Sequence, residues 1–187
     1  MNKQNWADTI ARWRVPASFV MALIYFLWAR PTWQSLGEGA ALAALGLVWR
    51  AWASGTIRKD STLAMSGPYA FSRNPLYFGS FLIVLGFGWA GDRRLLLILL
   101  IVFFLILYVP VMKLEENHLE RLFGVRFHDY RKKIPLFLPW KRVRAHDSPA
   151  AAFNWGQYWG NREYNVLLGF GAAVGLLLLI KYWRGMQ

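Results

Sequence analysis

The chain has 187 residues, of which 56% are hydrophobic, with eleven tryptophans and no cysteine. This composition is too apolar for an ordinary soluble domain, and the lack of cysteine excludes disulfide bonds, thiolate metal sites and a cysteine nucleophile. The net charge of +12 does not indicate nucleic-acid binding, because the basic residues lie between long apolar runs and do not cover one polar face.

Five apolar runs predict an all-α, polytopic membrane protein with about five transmembrane helices. The fourth run has eighteen residues without a charge, which would span about 27 Å as a helix, close to the thickness of the hydrocarbon layer. Shorter or interrupted runs are expected to pack inside a compact bundle. The runs cover residues 16–29, 36–53, 76–90, 95–112 and 166–180.

The distribution of lysine and arginine predicts that the N-terminus lies in the cytoplasm. With five crossings, this orientation places seventeen of these residues inside and five outside, in agreement with the positive-inside rule. The N-terminus lacks the pattern of a removable signal peptide, so we expect the first helix to act as its own anchor. For a prokaryotic source, the membrane would be the bacterial or archaeal plasma membrane.

The stretch GPYAFSRNPLYFG, residues 67–79, precedes and begins the third helix. The residue before a proline is disfavoured in a helical conformation, so the Asn74-Pro75 pair predicts a helix start. Pro75 in the first helical turn leaves backbone N–H groups unpaired. Arg73 and Asn74 add donors at the same place, so the stretch is suited to bind an anion or a zwitterion. The alternative is an interfacial loop in which Arg73 pairs with a phospholipid headgroup.

Only residues 91–94 separate the third and fourth runs, which predicts a tight antiparallel hairpin. The hairpin brings residues 73–77 beside residues 113–116, at the cytoplasmic ends of the two helices. Two segments that are about forty residues apart in sequence are therefore expected to form one site.

An acidic pair follows the fourth run. Glu115 and Glu116 point about 100° apart on a helix, so one is expected to face the bundle and the other water. The inward carboxylate holds the ammonium or ribose hydroxyls of a charged cofactor, or both residues belong to a solvated helix start that the macrodipole favours. His118 is either a general base or an ordinary surface histidine. The basic residues 131–133 contact anionic lipids or position a substrate.

The rest of the chain is predicted to return to the membrane. Residues 113–124 read as a helix that Gly124 could cap, and Pro135 and Pro139 then prevent a long regular helix, so this segment is expected to fold back onto the membrane face. Residues 141–163 read as a polar loop.

The extra C-terminal transmembrane helix, residues 164–183, contains a GxxxG pattern at Gly171 and Gly175. This pattern allows another helix to approach closely, from this chain or from a second copy in a homo-oligomer.

Taken together, GPYAFSRNPLYFGSF, the helical hairpin and LEENHLERLFGVRFHDYRKKIP resemble the integral-membrane methyltransferase family that includes isoprenylcysteine carboxyl methyltransferase and phosphatidylethanolamine N-methyltransferase. The resemblance covers residues 50–139 of a single membrane domain, 1–187. It implies that S-adenosylmethionine binds at the cytoplasmic end of the hairpin and that a lipid-like acceptor enters sideways from the bilayer.

The resemblance and the residue types together predict roles for individual residues. The cofactor-binding residues would be Tyr69, Arg73, Asn74, Pro75, Leu76, Tyr77, Gly79, Glu115, Glu116, Leu119 and Tyr130. The catalytic residues would be Asn74, Glu116 and His118, and the substrate-binding residues Arg50, Lys113, Arg131 and Lys133.

The chain departs from the carboxyl methyltransferases at two places. Asn74 stands where those enzymes have the histidine of an RHP motif, so hydrogen bonding to a cofactor is retained but a role for an imidazole is not. Residues 109–112 lack the arginine that precedes the acidic cluster of those enzymes. Both departures argue against a prenylcysteine carboxylate as the acceptor.

The sequence thus predicts an S-adenosylmethionine-dependent methyltransferase that acts on a lipid or other amphipathic acceptor. An NADPH-dependent membrane reductase related to the sterol reductases is an alternative, although those enzymes are larger. A non-enzymatic membrane protein that binds lipid is another. Three scattered histidines indicate no metal centre, and we expect membrane lipids but no nucleic acid as partners.

Overall fold

The computed structural model describes residues 3–57, 62–139, 152–184 and 186. These residues form seven α-helices and one short 3-10 helix, and none of them lies in a β-strand, so the predicted all-α class is confirmed. The helices are α1 (Lys3–Trp28), α2 (Trp33–Thr56), α3 (Pro75–Ala90), α4 (Arg94–Phe123), α5 (Val125–Lys133), α6 (Trp155–Gly160) and α7 (Tyr164–Arg184), with the 3-10 helix at Gly67–Ala70.

Each predicted apolar run lies within or at the end of a helix, but only α4 and α7 are long and apolar enough to cross a membrane by length and composition. The apolar parts of α1 and α3, Val15–Trp28 and Pro75–Ala90, are shorter. Five membrane crossings therefore stay a prediction. The helix predicted over residues 113–124 is the continuation of α4, which ends before Gly124.

The segment predicted as a polar loop contains the short helix α6. Asn154 caps this helix, since its side-chain oxygen accepts a hydrogen bond from the backbone N–H of Gln157 at 3.2 Å. Residues 141–151 of the predicted loop lie outside the described residues. The division into one membrane domain with a core at 50–139 stays a prediction.

Contacts within the chain group it into two compact units. The first comprises Met1–Leu45, Phe81–Val111 and Leu168–Gln187, and the second comprises Gly46–Ser80 and Met112–Leu167. The candidate functional site described below belongs to the second unit.

The first unit contains the turn of the predicted hairpin. Residues 91–93 connect α3 to α4, and the rings of Phe81 and Phe104 lie 5.4 Å apart between the two antiparallel helices. A side chain at Gly39 of α2 or at Gly86 of α3 would overlap the backbone carbonyl of the other residue. The two glycines therefore allow α2 and α3 to pack with their backbones in contact.

The second unit joins the end of α2 to the segment that precedes α7. The guanidinium of Arg50 donates two hydrogen bonds to the carboxylate of Glu163, at 2.6 and 3.0 Å. The Asn161 side chain donates to the Ser54 carbonyl at 3.0 Å, and the Asn154 backbone N–H donates to the Gly55 carbonyl at 2.9 Å. These contacts hold one side of the unit together.

Candidate functional site

A cavity of about 290 Å³ lies in the second unit, near the lower limit of about 300 Å³ that is usual for ligand pockets. Its walls come from the chain before the 3-10 helix, from that helix, from the start of α3, from the last turns of α4 and from α5. The lining residues are Ile57, Thr62, Leu63, Ala64, Tyr69, Arg73, Asn74, Pro75, Leu76, Tyr77, Glu115, His118, Leu119, Phe123 and Tyr130.

Hydrogen bonds connect the segments that form these walls. The hydroxyl of Tyr130 on α5 donates to the Tyr69 carbonyl at 2.7 Å. The Asn74 side-chain amide donates to the Leu136 carbonyl at 3.1 Å, and the Arg73 backbone N–H donates to the Pro135 carbonyl at 3.0 Å. The segment after α5 is therefore hydrogen-bonded to the residues that precede α3.

The start of α3 lies at the wall of the cavity. Pro75 is the first residue of the helix, and the Asn74 carbonyl accepts the first intrahelical bond, from the Phe78 N–H at 3.1 Å. Leu76 and Tyr77 lie in the first turn of this helix. Because both residues line the cavity, the positive end of the helix dipole lies at the cavity wall.

Arg73 and Glu116 form a buried ion pair between the entry to α3 and α4. Their side chains are only 10% and 9% exposed. Burial lowers the pKa of Arg73, and the neighbouring Glu116 carboxylate acts in the opposite direction. The Nε of Arg73 is buried and has no hydrogen-bond partner among the described residues, so one donor remains for a ligand.

The two adjacent glutamates have different environments. Glu116 is buried and paired, whereas Glu115 is exposed and lines the cavity. One residue thus faces inward and the other outward, as predicted. The inward carboxylate, which the sequence favoured as the ligand group, is instead the partner of Arg73. Glu115 is the carboxylate that the cavity contains.

Two buried tyrosines complete the wall. Burial raises the pKa of Tyr69 and of Tyr130 well above the usual value for a phenol, so both hydroxyls stay protonated and can donate. Tyr130 uses its proton in the bond to the Tyr69 carbonyl. The Tyr69 hydroxyl is buried and has no partner within the described part of the chain, and a buried polar group in this state favours a ligand that can pair with it.

Most of the predicted site residues are brought together. All the predicted cofactor-binding residues line the cavity except Gly79 and Glu116. Gly79 lies against Arg50 and the Gly46 carbonyl, where a side chain would not fit. Of the predicted catalytic residues, Asn74 and His118 line the cavity, and the Asn74 amide also bonds to the Leu136 carbonyl.

The predicted substrate-binding residues do not line the cavity. Arg50 is occupied by Glu163, Arg131 lies 3.6 Å from Glu120 on the surface, and Lys113 and Lys133 are exposed. The sequence interpretation missed the lining residues at positions 57 and 62–64. Those residues carry no motif.

Residues 38–126 match the phospholipid methyltransferase family. The matched segment is slightly less than half of the chain. It contains every lining residue of the cavity except Tyr130, and it confirms the resemblance that the GPY, RNP and EE motifs carry.

The chain is also similar to two proteins named for metal resistance. It is 34% identical over 139 residues to the cobalt-zinc-cadmium resistance protein CzcN of Cupriavidus metallidurans, a match that covers 70% of this chain and 63% of the relative. It is 32% identical over 139 residues to the nickel-cobalt-cadmium resistance protein NccN of Alcaligenes xylosoxydans xylosoxydans, with 70% and 64% covered. The chain thus spans less than two thirds of either relative.

A third relative is an enzyme. The chain is 33% identical over 87 residues to the protein-S-isoprenylcysteine O-methyltransferase of Schizosaccharomyces pombe, which covers 43% of this chain and 34% of the relative. No solved structure matches the chain. Within the described residues, no group of three or more His, Cys, Asp or Glu side chains is arranged to hold a metal ion.

Proposed function

We propose that this protein is an S-adenosylmethionine-dependent methyltransferase whose acceptor is a lipid or another amphipathic molecule. The observation that carries the proposal is the cavity itself. It combines an exposed carboxylate, unpaired buried donors and apolar walls within the segment that matches the phospholipid methyltransferase family.

The lining residues fit a zwitterionic nucleoside cofactor. The backbone N–H of Leu76 and the Nε of Arg73 would hold its carboxylate. Glu115 would hold its ammonium group or its ribose hydroxyls, and the Tyr69 hydroxyl offers a further donor. The apolar side chains of the wall would cover the base.

When bound, S-adenosylmethionine supplies a methyl group that its sulfonium already activates. The chain therefore needs to align donor and acceptor and to exclude water, rather than to provide a nucleophile. Leu63, Leu119 and Phe123 supply the apolar surface for water exclusion. His118 lines the same cavity, and we assign to its imidazole the removal of a proton from an amine or thiol acceptor.

Calorimetric titration of the full chain in dodecyl maltoside with S-adenosylhomocysteine and with NADPH tests the proposal. We expect S-adenosylhomocysteine alone to bind. Glu115→Gln should weaken this binding about tenfold, because a hydrogen bond to a charged group contributes about 1.5–3 kcal/mol. Glu120→Gln is the matched control, since Glu120 is exposed on the same helix but does not line the cavity.

The other possible results of the titration would contradict the cofactor, the enzymatic function or the location of the site. Binding of NADPH alone would identify a reductase, and binding of neither ligand would support a non-enzymatic protein. An equal effect of Glu115→Gln and Glu120→Gln would show that the cofactor binds elsewhere. Transfer of a labelled methyl group into a native lipid extract would then identify the acceptor as an amine, a carboxylate or a thiol-derived group.

We further propose that the cavity faces the cytoplasm. The chain has no cysteine, so single substitutions can be labelled without background. Glu120→Cys should react with a membrane-impermeant maleimide only after the cells are permeabilised, and Asp92→Cys, in the turn between α3 and α4, should react in intact cells. The reverse pattern would invert the orientation.

A further inference from the structure

A second cavity, of about 340 Å³, lies in the first unit and has no part in the proposed methyl transfer. Three of its lining residues are arginines, Arg30, Arg93 and Arg184, and the others are Leu27, Trp28, Leu95 and Leu96. Among the residues that the structure describes, no acidic side chain lines it. The cavity therefore combines concentrated positive charge with an apolar wall.

The backbone around this cavity is held in place by contacts to the end of α1. The Arg184 guanidinium donates to the Ala29 carbonyl and, at 3.1 Å, to the Leu27 carbonyl. The Arg30 backbone N–H donates to the Gly91 carbonyl at 2.9 Å. Arg184 thus satisfies carbonyls that have no partner within the helix, and the end of α1 is tied to the turn before α4.

Arg30 and Arg93 remain as the cations available to a ligand. Neither forms an ion pair with a carboxylate of the described residues. Both guanidinium groups belong to exposed residues that line the cavity. A guanidinium forms paired hydrogen bonds that match the oxygen atoms of a phosphate.

The N-terminus of α4 adds to the positive potential. The helix begins at Arg94, and the first bond along it is donated by the Leu97 N–H to the Arg93 carbonyl, at 3.1 Å. The N–H groups of the residues before Leu97 therefore have no partner within the helix. Because Leu95 and Leu96 line the cavity, these groups and the arginines lie around the same space, an arrangement that favours an anion.

We propose that this cavity binds the phosphate of a membrane phospholipid. The lipid source follows from the position of the cavity along the candidate membrane helices. The apolar run of α4 starts at Leu95, and α7 ends at Arg184. Headgroup phosphates lie where such helices leave the hydrocarbon layer, and the exposed side chains of Leu27, Trp28 and Leu95 provide an apolar surface for the glycerol and the first acyl carbons.

Binding of dihexanoyl phosphatidylglycerol to the full chain, purified in dodecyl maltoside, tests this proposal. We expect saturable binding that Arg93→Gln weakens about tenfold and that Arg94→Gln changes less than twofold. Arg94 is the matched control, because it is the exposed neighbour that does not line the cavity. Arg30→Gln should act like Arg93→Gln. Arg184 is left unchanged because it also caps α1.

Glycerol phosphate and inorganic phosphate distinguish the possible sources of the phosphate. Both should bind at least tenfold more weakly than the lipid, because neither can use the apolar wall. Equal binding of glycerol phosphate would overturn the assignment to a lipid. Equal losses of lipid affinity in Arg93→Gln and Arg94→Gln would show that general surface charge, and not this cavity, binds the lipid. A lack of binding of all three probes would reject the site.

Discussion

The buried ion pair between Arg73 and Glu116 allows a quantitative test of how the first cavity is built. The pair joins the entry to α3 to the last turns of α4, and Arg73 itself lines the cavity. Arg73→Met and Glu116→Leu each remove one charge and leave the other without its partner. The double variant removes both charges together.

The expected cost follows from the burial of the pair. Each side chain is about one tenth exposed, so the remaining charge would be largely removed from water, a state that costs about 3–5 kcal/mol. We expect each single variant to lose about 3 kcal/mol in the free energy of unfolding. The double variant should lose no more than one single variant, which corresponds to a coupling energy of about 3 kcal/mol.

Unfolding in mixed micelles of dodecyl maltoside and SDS, followed by tryptophan fluorescence, would measure these differences. The surface pair of Arg131 and Glu120 is the control, because its side chains are 47% and 45% exposed and its charges lie 3.6 Å apart. Glu120→Leu should cost less than about 0.5 kcal/mol. If Glu116→Leu costs no more than Glu120→Leu, or if the Arg73 and Glu116 variants are additive, the pair does not hold the wall together.

Three further predictions concern stability. Tyr130→Phe removes the 2.7 Å bond to the Tyr69 carbonyl and should cost about 1–3 kcal/mol in chemical unfolding. Because burial raises the Tyr130 pKa, the unfolded chain loses this proton first, so stability should fall above about pH 10, by up to about 1.4 kcal/mol per pH unit and less steeply in Tyr130→Phe. Gly86→Leu should lower the thermal midpoint strongly, whereas Gly171→Leu should leave it unchanged, because nothing lies within 4 Å of a Cβ there; equal losses would contradict this packing. Asn154→Ala should cost about 1 kcal/mol through the lost cap of α6, and an unchanged midpoint would show that the cap does not contribute.

The helices were predictable where an apolar run and a helix have the same bounds, and less so where a helix extends beyond its apolar run. Hydrophobic runs report the surroundings of a helix rather than its backbone conformation. For this reason the runs located α3 closely but gave only the apolar parts of α1, which begins at Lys3, and of α4, which continues to Phe123. The six-residue helix α6 was missed because so short a segment shows no helical periodicity, although Asn154 three residues before Gln157 is a recognisable cap.

The sequence predicted some of the residues that line the site. The short hairpin and the two motifs were sufficient to bring Arg73 and Tyr77 beside Glu115. The sequence could not decide whether Glu115 or Glu116 lines the cavity, because the rotation of α4 about its axis is set by packing rather than by the local sequence. The wall at residues 62–64 comes from a segment without periodicity or motif, so only the tertiary fold could reveal it.

The charge of the first cavity argues for a cationic cofactor over a dinucleotide. Glu116 already neutralises Arg73, and Glu115 is the acidic side chain among the described lining residues. A sulfonium would be attracted to this environment, whereas the phosphates of NADPH would need additional cations for their hydrogen bonds. The nearby basic residues Lys113 and Arg131 do not line the cavity. We therefore expect this cavity to prefer S-adenosylmethionine to NADPH.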